Sequence, residues 1–333
     1  MASTTVVLPF ALPPAELAAE LQRNLQAPAL ATLLTRNKLR QRRAADSDSR
    51  VLPHEAWLAS HLGANAGGAP LAAAAMAGFG LPPQAGHWFI VHPVHIQLAR
   101  NHLVLADPRR LRLEEADARA LFDTAQPYFD QLLWGDANTW FMRADDWQAL
   151  DTASPDAAMG VNLADWMPTG PKALAFKKLQ NEIQMLWHEH PANEARQARG
   201  LPPVNSFWMW GGAPAMAAPA PALAVAGGPA WLQALAAPQA RTADHQQAVT
   251  AGGAVLLPHL IPAGAGNDWS AWLAGMQQLE QDWFAPLLAA VRSGAVEELT
   301  LVLTDREGWT EFRITKPALR KFWRTPNLKN LTQ

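Results

Sequence analysis

The sequence predicts an α/β fold with an α+β domain inserted into it, and three observations carry that expectation. Helical periodicity alternates with short β-branched runs at both ends of the chain. The middle changes character and is dominated by Val, Ile and aromatic runs such as HWFIVHPVHIQL over 87–98. Hydrophobic residues make up 49% of the 333 residues and charged residues 17%, enough to bury cores in two domains of ordinary size.

The elements follow in order. Residues 4–10, TTVVLPF, read as a short buried strand stopped by Pro9. Residues 16–37 carry a leucine stripe at helical spacing, interrupted at Pro28. A polar linker at 46–50, a helix at 55–63 closed by Gly63, a loop at 64–69 and a helix at 71–77 ending at Gly78 complete the first part. Strands are expected over 87–98, 102–106 and 138–143, with a helix over 114–133 between them. The clearest helix is 172–188, where Phe176, Leu179, Ile183, Leu186 and Trp187 share one face behind Pro171. An Ala/Pro stretch from 212 to 226 reads as a loop, and 254–257 as a buried strand. Asp268 is placed to cap a helix that kinks at Pro286 and ends at Gly294. The strand LTLVLT at 299–304 and the alternating run at 310–315 are expected to pair. The expected division is 1–78 and 206–333 for the core, with 79–205 as the insert.

Several function classes are excluded or disfavoured. The net charge of −2 provides no global basic field to recruit nucleic acid or an anionic membrane, so neither is expected as a partner. The one basic run, RNKLRQRR at 36–43, reads as a solvated helix end or a docking patch. The chain has no cysteine, which removes disulfides, thiolate metal sites and cysteine nucleophiles. The first residues lack the basic and apolar regions of a signal peptide, and no apolar run is long enough to span a bilayer. A cytoplasmic location is expected. Fifteen Trp against one Tyr point to aromatic packing, including Trp208, Trp210 and Trp323.

The most specific pattern is His190-Pro191-Ala192-Asn193-x-x-Arg196-x-x-x-Gly200-x-x-Pro203-x-Asn205, followed by Trp208-x-Trp210-Gly211-Gly212. Its companions are Gly68-Ala69-Pro70-Leu71 running to Gly78, Leu113-Glu114-Glu115-Ala116, the stretch 151–155, and a helix-then-strand run over 279–305. In this order the segments resemble the archaeal-type cofactor-independent phosphoglycerate mutases of the alkaline phosphatase superfamily. The chain is also similar over nearly its whole length to a degenerate bacterial branch described as mutase-like or regulatory. The resemblance implies an alkaline-phosphatase-like core and a site lined by Asn193, Arg196 and Asn205 in the cleft between domains.

The chemistry of that family needs two divalent metals, a Ser or Thr nucleophile, and Asp and His ligands at strand ends. Here the first strand ends in Leu8-Pro9-Phe10 where the family has Asp-Gly. The nucleophile position falls on His54, with Leu58 as the companion position. The last core strand ends Thr304-Asp305-Arg306 where the family has Asp-His. An Asp-x-x-x-His-Asp segment has no counterpart, and Asp244-His245 reads as a chance look-alike. Arg cannot ligate a metal and repels one.

Other candidates have plainer readings beside the functional ones. His92-x-x-His95 has odd spacing on a strand and reads as structural. His188-x-His190 suits the positive charge preferred at a helix end. His54-Glu55 is either a phospho-acceptor pair or a polar helix start. The run 320–324, RKFWR, mixes cations with aromatics and suits either an acidic partner or a plain amphipathic end.

The expected function is thus a mutase-like protein without metal-dependent phosphoryl transfer, acting in binding or regulation. Arg196, Asn193, Asn205 and Arg306 are the expected anion-binding residues. The expected partner is a small anionic ligand or a protein, with no cofactor. The alternative is an active mutase or phosphatase with rearranged ligands, using divalent metal with His54 and Asp305 as candidates.

Overall fold

The computed structural model describes residues 2–46, 48–63, 69–81, 85–215, 223–241 and 243–332. The glycine-rich stretch 64–68 and most of the Ala/Pro stretch, 216–222, lie outside the described residues. The strands run in chain order β1 (Ala2–Leu8), β2 (Leu39–Ala44), β3 (His87–Val94), β4 (Ile96–Ala99), β5 (His102–Leu105), β6 (Gln131–Asp136), β7 (Thr139–Arg143), β8 (Ser206–Pro214), β9 (Leu223–Val225), β10 (Gly253–Leu256), β11 (Val296–Thr304) and β12 (Gly308–Thr315).

Contacts divide the chain into two compact units, Met1–Trp57 with Ala220–Gln333, and Leu58–Pro219. The boundaries therefore fall at 57/58 and 219/220 rather than at 78/79 and 205/206. Two pairings account for the difference. β8 is an edge partner of β3, so its hydrogen bonds belong to the second unit's sheet. The helix Ala72–Gly78 packs on β3 and β8 of that same sheet.

The first unit is built on a six-stranded sheet in the order β2-β12-β11-β1-β10-β9. The four strands β9, β10, β1 and β11 are parallel, and β12 and β2 close one side antiparallel. Buried on both faces, β1 and β11 read as apolar runs (VVL and LTLVLT), as parallel strands must. Asp268 accepts the Ala271 N–H at 3.0 Å and starts the helix Trp269–Leu279. A π-helical turn, Glu280–Phe284, follows it, and the helix resumes at Ala285–Ser293 to end on Gly294 at φ 94°. Pro286 has no N–H for the regular ladder, so the kink is absorbed as a wider turn. Within that turn the buried Glu280 carboxylate accepts the N–H groups of Ala29 and Leu30 at 2.6 and 3.0 Å. It caps the helix Pro28–Thr35.

The second unit centres on the antiparallel sheet β6-β7-β3-β8, with the hairpin β4-β5 beside it in sequence. The helices Glu115–Ala125 and Ala173–His188 pack on each other, and the second packs on β8. Its core is aromatic. Phe122 meets Trp140 edge-on at 5.2 Å between ring centres, and Trp140 meets Trp187 at 6.0 Å. Phe207 takes edge contacts from both Phe129 and Phe176. This accounts for much of the tryptophan excess: Trp88, Trp140, Trp187, Trp208 and Trp210 are all essentially inaccessible, as is Trp272 in the first unit. Trp323 departs from its expected place in the core, being 69% exposed.

Several elements differ from the sequence reading, among them β9 (Leu223–Val225), which lies inside the stretch read as a loop. The basic run expected to end a helix is the edge strand β2. Its periodicity comes from pairing with β12, where the Arg40 guanidinium sits 5.9 Å from the Phe312 ring centre. The helix expected over 114–133 stops at Ala125, because Pro127 follows and Leu132 and Leu133 pair in β6 with Met142 and Phe141.

Candidate functional site

In a sheet of this kind ligands meet the carboxyl ends of the parallel strands, where loops diverge and backbone groups lack strand partners. In the first unit those ends deliver Pro9 and Phe10 after β1, Asp305 and Arg306 after β11, and Pro258 and His259 after β10.

Phe10 dominates this end of β1. Its backbone is left-handed, with φ 55°, a conformation that Cβ makes costly in any residue but glycine. The strain is held by packing on every side. The Phe10 N–H donates to the Thr304 hydroxyl at 3.2 Å, and its C=O accepts the Trp272 indole N–H at 2.7 Å. The ring is 4% exposed, lies 5.8 Å from the His54 ring and carries the Arg306 guanidinium 5.5 Å from its centre. A side chain at Gly264 would put its Cβ 2.4 Å from Phe10 Cβ, so glycine there is what admits the ring.

Asp305, the carboxylate expected at the end of β11, is engaged through both oxygens. Oδ1 accepts the N–H groups of Glu307 and Gly308, each at 2.7 Å, and so builds the β11–β12 turn. Oδ2 accepts Arg42 Nη2 at 2.8 Å. Arg306 is exposed, donates to the Ala265 C=O at 3.2 Å and leans on Phe10.

His54 lies in the first turn of the helix Pro53–His61 and is 2% exposed. Burial pushes its pKa down to about 3, so the ring is neutral near pH 7, and its Nδ1 has no hydrogen-bond partner among the described residues. Neighbouring Glu55 is turned to its own helix, accepting the Leu52 N–H at 3.0 Å. An imidazole this enclosed is poorly placed to accept a phosphoryl group.

A metal does not fit this donor set. Among the described residues no three His, Asp or Glu side chains converge as ligands. At the strand ends an aromatic ring and a guanidinium stand beside a carboxylate already engaged by a second guanidinium. A dication there would meet two fixed positive charges.

The signature residues lie in the second unit, and there they hold backbone. His190 Nδ1 accepts the Ala192 N–H at 3.2 Å and caps the helix Pro191–Ala198. Asn193, 1% exposed, donates to the carbonyls of Trp187 and Val204 and accepts the Val204 N–H at 2.8 Å. Arg196, fully buried, donates to the carbonyls of Leu111, Arg112 and Pro202 and meets Asp117 at 3.5 Å. Asn205 bridges both backbone groups of Ile96, each at 2.8 Å. The side chains expected to receive an anion are thus consumed as clamps on an irregular chain path. Of the four expected anion-binding residues, Arg306 is the one at the strand ends. His92 and His95 donate through Nδ1 to the carbonyls of Asn138 and Pro203, at 2.7 and 2.8 Å. Asp244 caps the helix His245–Ala251 through the Gln247 N–H.

One pocket escaped the sequence reading. In the second unit a cavity of about 550 Å³ is lined by Tyr128, Gln131, Arg143, Asp145, Asp146 and Trp147, among others. The Arg143 hydrogen bond holds the Asp145 carboxyl low, at about 2. Most of the lining comes from two runs, 128–131 and 142–147, which the β6–β7 pairing of Gln131 with Arg143 brings side by side.

Comparison with known proteins agrees with the motif reading. A 65-residue segment, 20% of this chain, is 35% identical to the 2,3-bisphosphoglycerate-independent phosphoglycerate mutase of Methanothrix thermoacetophila, and spans 17% of that enzyme's length. No family model matches the chain. A solved structure from Pyrococcus horikoshii covers 99% of this chain and 92% of its own at a TM-score of 0.53 and 13% identity. The cofactor-independent phosphoglycerate mutase of Thermoplasma acidophilum covers 99% of this chain and 94% of its own, at a TM-score of 0.45 and 13% identity. The fold is therefore a mixed α/β one shared with the Pyrococcus protein, and the chain is similar in sequence, over one segment, to a cofactor-independent phosphoglycerate mutase.

Proposed function

We propose that this chain is a phosphoglycerate mutase-like protein that works by binding, in a regulatory role, and not by metal-dependent phosphoryl transfer. The observation that carries the reading is Phe10. Its ring fills the carboxyl end of β1, where the related enzymes place a metal-ligating Asp-Gly pair, and Arg306 covers it. The remaining carboxylate, Asp305, spends its oxygens on a turn and on Arg42. A positive charge is retained at the strand ends as a guanidinium, which suits a small anion better than a metal-bridged phosphoryl group.

The test is thermal shift together with turnover, on the purified protein with Mg²⁺, Mn²⁺ or Zn²⁺, each with and without 3-phosphoglycerate. The expected result is no 2-phosphoglycerate in any condition. Stabilisation by 3-phosphoglycerate without metal, removed by Arg306→Ala, would assign the anion to the strand ends. Silence in the shift assay would leave a protein as the partner. Metal-dependent formation of 2-phosphoglycerate, lost in Asp305→Asn, would overturn the reading and establish a mutase with rearranged ligands.

A further inference from the structure

The charge of this chain is strongly segregated. Residues 36–44 and 313–333 hold eleven of its 27 Lys and Arg and none of its 29 Asp and Glu. The fold brings the two segments together in the first unit. β2 pairs with β12 from Leu39↔Arg313 to Gly308↔Ala44. Beyond the sheet the C-terminal segment is stitched along residues 34–40. Lys321 donates to the Asn37 C=O, Arg324 to the Thr35 C=O, Asn330 to the Leu34 C=O and Arg40 to the Thr332 C=O. Arg36 returns the contact, donating to the carbonyls of Arg324 and Leu319. Within this face Arg36, Arg40, Lys321 and Arg324 are thus oriented by neutral carbonyls, so their positive charge is fixed in place without being neutralised. Lys38, Arg42 and Arg43 are instead paired with carboxylates, Glu298, Asp305 and Glu311.

Phe322 and Trp323 stand in the middle of these cations, 80% and 69% exposed, stacked edge-on at 5.3 Å. Consecutive turns hold them. Lys321 N–H bonds the Ala318 C=O, Phe322 N–H the Arg320 C=O, and Arg324 N–H the Lys321 C=O. An ordered, solvent-facing aromatic pair ringed by cations has the composition of a recognition surface. β2 adds a further feature. It is the terminal strand of the sheet, with no strand on its outer side among the described residues. Charged side chains on an edge normally bar other strands. An edge whose only charged side chains are the cations Arg40, Arg42 and Arg43 disfavours basic strands and favours an acidic one.

We propose that this face docks an acidic, extended peptide segment of a protein partner. The segment adds as a strand to the outer edge of β2, sets its carboxylates against Arg36 and Arg40, and packs an apolar side chain on Phe322 and Trp323. The edge is what selects polypeptide: its backbone N–H and C=O groups can be laddered by another peptide chain, and neither nucleic acid nor lipid offers that pairing. The face lies toward the start of β2, away from the strand ends that carry Phe10 and Asp305, and it stands whatever the fate of the reading above.

The experiment uses the full chain and fluorescence anisotropy at physiological ionic strength. The probe is a labelled peptide of alternating Glu and Thr with one central Phe. Its partner is a peptide of equal charge with Pro at alternate Thr positions, which cannot form a strand. The expected result is binding of the first peptide, weakened about tenfold or more by the prolines and by the double variant Phe322→Ser/Trp323→Ser. Amides of β2 should gain hydrogen-exchange protection only with the first peptide. Both variant residues are exposed, and an unchanged melting temperature shows that the variant folds. Equal binding of the two peptides would reduce the face to a plain charge effect and overturn the proposal. Absence of binding would do the same, as would tighter binding of an oligo-dT strand or a phosphatidylserine vesicle than of the peptide.

Discussion

Replacing Phe10 by alanine and, separately, by glycine isolates the strain at the end of β1. Removing a buried phenylalanine side chain costs about 3–5 kcal/mol, and both variants lose that ring. At an ordinary backbone position glycine then falls below alanine, by about 0.5–1 kcal/mol for chain entropy. A further ~0.8 kcal/mol goes with the lost methyl. At φ 55° the balance changes, because any Cβ carries a left-handed penalty of about 1–2 kcal/mol that glycine escapes. The two contributions cancel, so the glycine and alanine variants should agree within about 0.5 kcal/mol. Urea unfolding followed by tryptophan fluorescence measures this, and Trp272, whose indole N–H bonds the Phe10 C=O, supplies a local signal. A glycine variant about 1.5 kcal/mol or more below alanine would refute the left-handed turn, and with it the view that Phe10 occupies a position shaped for glycine.

The other predictions concern charge and hydrogen bonding. His54, with a pKa near 3 against the usual 6.5, takes up its proton more readily in the unfolded chain. Its contribution is therefore present above pH 6.5 and is lost as pH falls toward 3, a deficit of about 2 kcal/mol at pH 5. Because burial lowers His92 to about 4 in the same way, the test compares slopes: His54→Gln should flatten the pH dependence of unfolding by about that amount, and an unchanged slope would contradict it. Asp305→Asn keeps an acceptor for the β11–β12 turn but loses the charge facing the partly exposed Arg42. It should cost about 1 kcal/mol by denaturant titration, while Asp305→Ala, which also frees two N–H groups, should cost about twice that. Arg196→Ala should destabilise by about 3 kcal/mol and Arg196→Lys by somewhat less, because a single ammonium cannot reach three separated carbonyls. Neither Arg196 variant should alter a 3-phosphoglycerate response in the folded protein, and a selective loss of that response would return Arg196 to the binding site.

What was legible in the sequence was local. The 299–304 strand, the helix behind Pro171, the Asp268 cap and the Gly294 stop each rest on a pattern a few residues long, and the structure forms each of them. β2 was not legible, because its regularity depends on β12, far away in sequence, and basic side chains over three-residue windows mimic a helix end. The signature run stands out by its spacing, but spacing does not say which way a side chain faces. Asn193 and Arg196 are three apart on one helix, which puts them on a common face, and that face turned out to point at backbone carbonyls.

At the end of β1 the sequence and the structure answer different questions. The residues Pro9-Phe10 place an apolar ring where the resemblance implies an Asp-Gly pair; the dihedral shows that the ring sits on a left-handed turn. A phenylalanine held at φ 55° works against its own backbone, so the conformation must be imposed from outside the residue. The Thr304 hydroxyl, the Trp272 indole and the space left by Gly264 impose it, and each comes from a different segment of the chain. Three separate segments thus hold a strained turn around a buried ring and a covering guanidinium, and they fix this end of the sheet in one shape.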